Sequence, residues 1–251
     1  MSGPLSRFVP LTVRVAGRDL RRRFAGGVSE HASTFDRFES LGDDCELAAF
    51  QRAHGVERAA LFNWRDTDVA MLVDALDSKL HGYDRLADLQ VELQESAIDN
   101  VREYAVVNTA LGSRAHTFFL ETECSAREVL EHEHRSLILL KRKFLSDVAR
   151  ARRIYVYRAH NPIALWEAEN LSQALRRCCG DNLLLWVTTA EEKEKTGNVV
   201  HLGPGLMTGS VDAVGAEDYG DLAKGASWTR LLRNALSLAE GPARELAETE
   251  L

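Results

Sequence analysis

The chain has 251 residues, enough to bury one substantial hydrophobic core or one core with a small appendage. Hydrophobic residues make up 45% of it and charged residues 27%, a balance typical of globular proteins. A net charge of −7 argues against nonspecific nucleic-acid binding, because the chain has no basic excess to neutralise phosphates. No apolar run approaches a membrane-spanning length, and the first residues lack the apolar core of a signal peptide.

The number and spacing of the cysteines indicate which cellular compartment and which cofactors to expect. Cys45, Cys124, Cys178 and Cys179 are too few and too irregularly spaced for a disulfide framework. No Cys-x-x-Cys pair occurs, so a zinc ribbon is not expected. The sequence therefore predicts a cytoplasmic protein without a metal or another cofactor.

The first part of the chain differs in composition from the rest. Residues 1–33 contain Pro4, Pro10, the basic run Arg21-Arg22-Arg23 and a glycine pair, and their hydrophobic periodicity is weak. We expect a loosely ordered N-terminal arm over residues 1–33, followed by a single α/β domain over residues 34–251.

The most informative stretch follows this arm. An extended segment from Phe38 reaches Gly42, turns through Asp43 and Asp44, and passes Cys45 into an amphipathic helix. Glycine allows a left-handed turn, and either aspartate is a natural helix N-cap. The pattern predicts a strand-turn-helix corner that places the thiol at the positive end of a helix, where a thiolate is favoured. The alternative is that Cys45 is a small buried hydrophobe in a tight turn.

The middle of the chain alternates helical and extended periodicity. Apolar residues at helical spacing predict a helix over Asp68–Leu80, and a longer one over Ala126–Ala151. Between them, two runs of alternating residues, Tyr104–Val107 and His116–Leu120, predict strands joined by a turn at Gly112-Ser113.

The last third predicts a βαβ unit. Its parts are a strand over Arg153–Tyr157, a helix over Ile163–Cys179 with Asn161-Pro162 at its start and Gly180 at its end, and a continuous apolar strand over Leu183–Val187. A further strand is expected at Val199–Leu202 and a closing helix at Ser227–Leu238. The fold class that these elements predict is a three-layer α/β protein with a mostly parallel sheet and an antiparallel strand pair at one side.

The corner also carries a resemblance. Ser40-Leu41-Gly42, Cys45 and the later Leu61-Phe62-Asn63-Trp64 resemble a bacterial family of papain-like cysteine peptidases. The opening of that family reads Ser-Leu-Gly-x-x-Cys, a helix, and a Pro-Phe-Asp-Trp-like motif. A closer alphaproteobacterial branch has Glu-Ser-Leu-Gly-Asp-Asn-Cys-Glu followed by Gln-Arg. The resemblance runs from about Phe38 to the C-terminus, and it implies that Cys45 is a nucleophile.

A cysteine hydrolase needs an imidazole to accept the thiol proton. The resemblance places this base at His116, which opens the run His116-Thr117-Phe118-Phe119. His160 is the alternative, because it follows a predicted parallel strand and ligands in open α/β sheets bind beyond the carboxyl ends of such strands.

The residue that would orient the imidazole is Asn63, at the position where the resembled motif has an aspartate. An amide can orient a histidine, although it cannot supply the charge that stabilises an imidazolium. We expect Trp64 to line the same pocket. The predicted ligand contacts are Gly42, Asp43, Asp44, Trp64 and His160.

The charges around the thiol oppose its activation. Asp43, Asp44 and Glu46 surround Cys45 in the sequence, and nearby carboxylates raise the pKa of a thiol. Carboxylates beside a glycine turn are also suited to binding the hydroxyl groups of a sugar.

Two functions therefore follow from the sequence. The first is a cysteine-dependent hydrolase or acyl transferase that uses Cys45, His116 and Asn63 on a peptide or glycan-related substrate. The alternative is a non-catalytic α/β binding module, for which the resemblance, rather than the residues, implies a link to surface-glycan assembly. A Cys45 sulfur within about 4 Å of an imidazole nitrogen favours the enzyme, whereas burial of Cys45 without a histidine favours the module.

Overall fold

A computed structural model describes residues 32–56, 58–95, 102–190, 195–212 and 225–249. The predicted arm, residues 1–33, lies almost wholly outside these ranges. The described helices are α1 (Ala32–Phe35), α2 (Glu46–Ala53), α3 (Val69–Asp77), α4 (Ala126–Val148), α5 (Leu165–Cys178) and α6 (Ala226–Thr249). The described strands are β1 (Phe38–Asp43), β2 (Arg65–Asp66), β3 (Leu89–Glu95), β4 (Arg102–Asn108), β5 (Ser113–Leu120), β6 (Ile154–Arg158), β7 (Leu183–Thr189), β8 (Val199–Gly203) and β9 (Leu206–Val211).

The larger sheet has the strand order β1-β6-β7-β9-β8. Its first four strands are parallel, and β8 is antiparallel at the edge. Strands β6 and β7 pair in parallel from Ile154–Leu183 to Arg158–Val187, with α5 between them in the chain. The predicted βαβ unit is therefore confirmed.

The predicted start of the βαβ helix is wrong. Helix α5 begins at Leu165 with Ala164 at its N-cap, rather than at Asn161-Pro162. The reason is that Glu167, at the third helical position, accepts a hydrogen bond from the Ala164 N–H at 2.7 Å. This is one half of a capping box, in which the carboxylate satisfies the N–H of the N-cap residue, and Ala164 has no polar side chain to supply the other half.

The second sheet is antiparallel, with the order β2-β5-β4-β3. The predicted strand pair corresponds to β4 and β5, joined by a turn in which Gly112 has a φ of +65°. Strands β3 and β2 extend this pair to four strands. Helix α4 packs across the inner side of this sheet.

The core lies on both faces of the larger sheet. On one face, side chains of β6 and β7 such as Tyr155 and Leu184 pack with α3, α4 and α5, and this core continues beneath the second sheet. On the other face, Phe38 and Val156 pack with α2 and α6, whose Trp228 is fully buried. These layers confirm the predicted α/β fold class with a mostly parallel sheet.

Candidate functional site

The predicted strand-turn-helix corner is present, but the N-cap residue is Cys45 and not Asp43 or Asp44. Strand β1 ends at Asp43 and helix α2 begins at Glu46, with Cys45 as its N-cap residue. The backbone turns at Gly42 and Asp43, whose φ angles are +98° and +64°. A Cβ at Gly42 would lie only 2.6 Å from the carbonyl oxygen of Arg65, so glycine is what lets β1 pass so close to β2.

Asp44, the second aspartate of the corner, holds neighbouring parts of the fold together. Asp44 accepts a hydrogen bond from the Glu46 N–H at 2.6 Å, and its other oxygen pairs with Arg158 at the end of β6. Arg158 also pairs with Glu46, which in turn accepts a hydrogen bond from Trp228 Nε1 at 3.2 Å. These groups are buried, so one guanidinium joins the corner to the neighbouring strand and to α6. The predicted role of Asp44 as a ligand contact stays a prediction.

Asp43 brings His160 to the corner. The backbone N–H of His160 donates to Asp43 Oδ2 at 2.9 Å, so His160 does lie at the carboxyl edge of the parallel sheet. Burial raises the pKa of the Asp43 carboxyl, an effect that Asp66 and Asp44 strengthen and that the His160 N–H opposes. Asp43 is therefore the carboxylate that links β1 to the loop after β6.

The Cys45 thiol lies in an electronegative and partly buried position. Burial and, to a smaller extent, the carboxylates of Asp66, Asp44 and Asp43 together raise its pKa from 9.0 to about 12. No imidazole of the described residues contributes to this shift or forms a hydrogen bond with Sγ. The thiol is therefore protonated at neutral pH.

His116 has a carboxylate partner that the sequence did not indicate. Its Nδ1 lies 3.1 Å from Glu103 Oε1 on β4, and Gln94 Nε2 on β3 donates to the same oxygen at 2.6 Å. The hydrogen bond with Glu103 raises the pKa of the imidazole, and Asp66 contributes in the same direction. The structure thus places Glu103, and not Asn63, in position to orient this histidine.

Asn63 lies elsewhere in the core. Its side chain is buried, and Nδ2 donates to the Arg58 carbonyl oxygen at 3.1 Å. This contact fixes the loop that leads into β2. The predicted role of Asn63 in orienting a histidine is not supported by any contact with His116 among the described residues.

Trp64 and Phe118 form an aromatic contact between the loop before β2 and strand β5. Their rings meet edge to face with centroids 4.9 Å apart, and the Arg52 guanidinium lies 4.8 Å from the Trp64 ring centroid. The Trp64 carbonyl accepts a hydrogen bond from the His116 N–H at 2.9 Å. This cluster therefore connects α2, the helix that follows Cys45, to the strand that carries His116.

Asp66 lies on β2, the edge strand of the second sheet, and it raises the pKa of both Cys45 and His116. On β5 the side chains alternate between buried and partly exposed, so His116 and Arg114 share the side away from α4. Arg114 Nε donates to Gln94 Oε1 at 3.1 Å, and its Nη1 donates to Glu92 at 2.7 Å. We call this side the outer face, and its polar members are Asp66, Glu92, Gln94, Glu103, Arg114 and His116.

Within the described ranges, no group of three or more His, Cys, Asp or Glu side chains is placed to hold a metal ion. None of the helices in those ranges is long and apolar enough to cross a membrane. We find no family model, no characterised protein and no solved structure that matches the chain. The site is therefore interpreted from its own geometry.

Proposed function

We propose that the protein is a non-catalytic α/β binding module whose ligand site is the outer face and the adjoining corner. The observation that carries this proposal is the environment of Cys45. Burial, together with the neighbouring carboxylates, raises the pKa of this thiol to about 12, and no described imidazole bonds to it. A reactive cysteine requires an electropositive surrounding, which this position lacks.

The chemistry of the outer face supports a hydroxyl-rich ligand such as a saccharide. Arg114 and Gln94 supply donors, and Asp66 and Glu92 supply acceptors, so the two charge signs are interspersed. A hydroxyl group donates and accepts at one atom, which matches such a mixed surface better than a simple anion or cation would. The apolar ring of Trp64 beside these groups is also typical of ligand sites.

A glycan array, with hits measured by titration calorimetry, tests this proposal. Arg114→Ala removes a donor from the outer face and is expected to weaken binding by about tenfold or more. The matched control is Arg127→Ala, because Arg127 is an exposed arginine on α4 whose partner is Glu131. Binding should be unchanged in this control. The absence of any saccharide hit, or equal effects of the two arginine substitutions, would overturn the proposal.

A second candidate function is a cysteine-dependent hydrolase or acyl transferase, as the resemblance implies. The observation that favours it is the pairing of His116 Nδ1 with Glu103, which leaves Nε2 available for proton transfer. Asp66 neighbours both this imidazole and the Cys45 thiol. In this mechanism His116 would take the proton of Cys45, and the thiolate would add to a carbonyl carbon. The bond to the leaving amine or alcohol would then break, with His116 returning the proton to it, and water or an acceptor group would cleave the resulting thioester.

Site-resolved iodoacetamide labelling distinguishes the two functions. For the binding module we expect Cys45 to react more slowly than free cysteine at neutral pH, and equally slowly in His116→Ala. The hydrolase instead requires fast labelling of Cys45 at neutral pH that is lost in His116→Ala. Mass spectrometry of the modified peptides separates Cys45 from the other cysteines.

A further inference from the structure

Helices α3 and α5 pack side by side and leave a groove of about 170 Å³ between them. Its apolar lining comes from Val69, Ala70 and Val73 on α3 and from Trp166 on α5. Trp166 is 61% exposed, and the adjacent Leu165 is 45% exposed. A large aromatic side chain is therefore left in solvent beside an apolar groove, which is typical of an interaction site.

The groove is also acidic. Asp74 and Glu167 line it. Asp68, the N-cap residue of α3, lies near the same end of the groove as Glu167, since the carboxylates of both residues raise the pKa of Tyr157. No Lys, Arg or His of the described residues forms an ion pair with any of these three carboxylates. The nearest such pair joins Asp77 to Arg177 at the C-terminal ends of the two helices, at 2.8 Å. These carboxylates therefore have no cationic side-chain partner among the described residues, although Glu167 and Asp68 each accept a backbone N–H at the start of a helix.

We propose that this groove docks a basic amphipathic helix of a partner protein. A volume of about 170 Å³ is below that of small-molecule pockets, roughly 300–1,000 Å³, and suits one or two apolar side-chain anchors. An amphipathic helix supplies such anchors at helical spacing, and lysines or arginines beside them would pair with Asp74 and Glu167. Trp166 is the residue type that most often dominates binding at such an interface.

The probe is a fluorescein-labelled model peptide of about 18 residues, with leucines at amphipathic spacing and lysines on its polar side. Its counterpart carries glutamate in place of every lysine. Fluorescence anisotropy at about 0.1 M salt should show binding of the lysine peptide, weakening as salt is raised, and no binding of the glutamate peptide.

Variants of the full chain test where the peptide binds. We expect Trp166→Ala and Asp74→Lys each to weaken binding of the lysine peptide by about tenfold or more. Leu139→Ala is the matched control, because Leu139 is an apolar residue on α4 that is 65% exposed and does not line the groove. Asp74→Lys changes an exposed side chain, and circular dichroism verifies that each variant is folded.

Three results would overturn the proposal. The first is binding by Trp166→Ala and Asp74→Lys that equals that of the unmodified chain. The second is equal binding of the glutamate peptide, which would remove the argument from charge. The third is self-association in sedimentation that is lost in Trp166→Ala, since a second copy of the chain would then occupy the groove.

Discussion

Replacing Gly42 with alanine adds a methyl group at the tightest point of the corner. Gly42 has a φ of +98°, and a Cβ there would lie 2.6 Å from both the Arg65 carbonyl oxygen and Thr67 Oγ1. Real Cβ atoms essentially never approach other atoms closer than 3.0 Å. Strand β1 or β2 must therefore move, and the corner that holds Cys45 moves with it.

Two costs add in Gly42→Ala. A positive φ costs an alanine roughly 1–2 kcal/mol, and overpacking a well-packed site costs about 1–3 kcal/mol more. Gly112 isolates the first cost, because its φ is +65° and a Cβ there would meet nothing within 4 Å. We therefore expect a loss in unfolding free energy of about 2–5 kcal/mol for Gly42→Ala, against roughly 1–2 kcal/mol for Gly112→Ala.

Urea unfolding followed by tryptophan fluorescence measures both losses. The two variants should share the slope of the unmodified chain and differ in midpoint. Equal losses in Gly42→Ala and Gly112→Ala would refute the reasoning, since β1 would then not be held against β2 by a contact that only glycine allows.

Three further outcomes follow from buried charges and a helix cap. Arg158→Met leaves Asp44 and Glu46 without their shared cation, so we expect a loss of about 3–5 kcal/mol at neutral pH. This loss should shrink in acid, because burial raises the Glu46 pKa and the protonated carboxyl needs no cation. The hydrogen bond with Glu103 raises the pKa of His116 in the folded protein above its value near 6.5 in the unfolded chain. Its contribution to stability is therefore complete below about pH 6.5 and is lost as the pH rises through the pKa of the folded state. In urea unfolding at about pH 5.5 and 8.5, His116→Gln should therefore lower the free energy of unfolding more at the acid pH. The loss should stay below about 1 kcal/mol, because the imidazole is 36% exposed. Asp68→Ala removes the N-cap of α3 and should cost about 1 kcal/mol, most of it recovered in Asp68→Ser.

Each of these expectations has a contrary result. A loss in Arg158→Met that does not change between neutral and acid pH would contradict the argument from unpaired carboxylates. A His116→Gln cost that is larger at alkaline pH would contradict the direction of the imidazole pKa. An Asp68→Ser variant as unstable as Asp68→Ala would show that the carboxylate acts by its charge and not as a cap.

The parallel part of the fold could be predicted because its signals are local. Leu183–Val187 is a continuous apolar run, as expected for a strand buried on both faces, and the helix before it has a clear apolar stripe. The error at the start of that helix has a local cause as well. Asn161-Pro162 is a favourable helix start, but the N-cap lies three residues later, at Ala164, whose N–H is bound by the Glu167 carboxylate.

Strand β3 is an element that the sequence analysis missed although it carries a local signal. Leu89–Leu93 alternates apolar and polar residues, which is the period of a half-buried strand. Glutamine and glutamate are good helix formers, so residue type and period point in opposite directions here. The pairing along the whole of β4, from Leu89–Asn108 to Glu95–Arg102, decides for the strand.

The partner of His116 depends on an irregularity of strand pairing. Ala105 pairs with His116, so a regular antiparallel ladder would place Glu103 opposite Phe118. The register shifts between these positions, and Glu103 pairs with Leu120 instead. A bulge of this kind re-aims a side chain, and here the Glu103 carboxylate reaches the imidazole. Sequence spacing cannot show such a shift, and the prediction of Asn63 came instead from its position in the resembled motif.

The reactivity of Cys45 is decided by the size of two opposing effects. The N-terminus of α2 favours a thiolate by about 0.3–1 kcal/mol, and by about 2 kcal/mol at most. A thiol pKa of about 12 instead of 9.0 corresponds to roughly 4 kcal/mol against the thiolate. The helix terminus alone therefore cannot activate this cysteine. Only an imidazole brought against Sγ could reverse the balance, so the effect of His116→Ala on labelling of Cys45 is what separates a binding corner from a catalytic one.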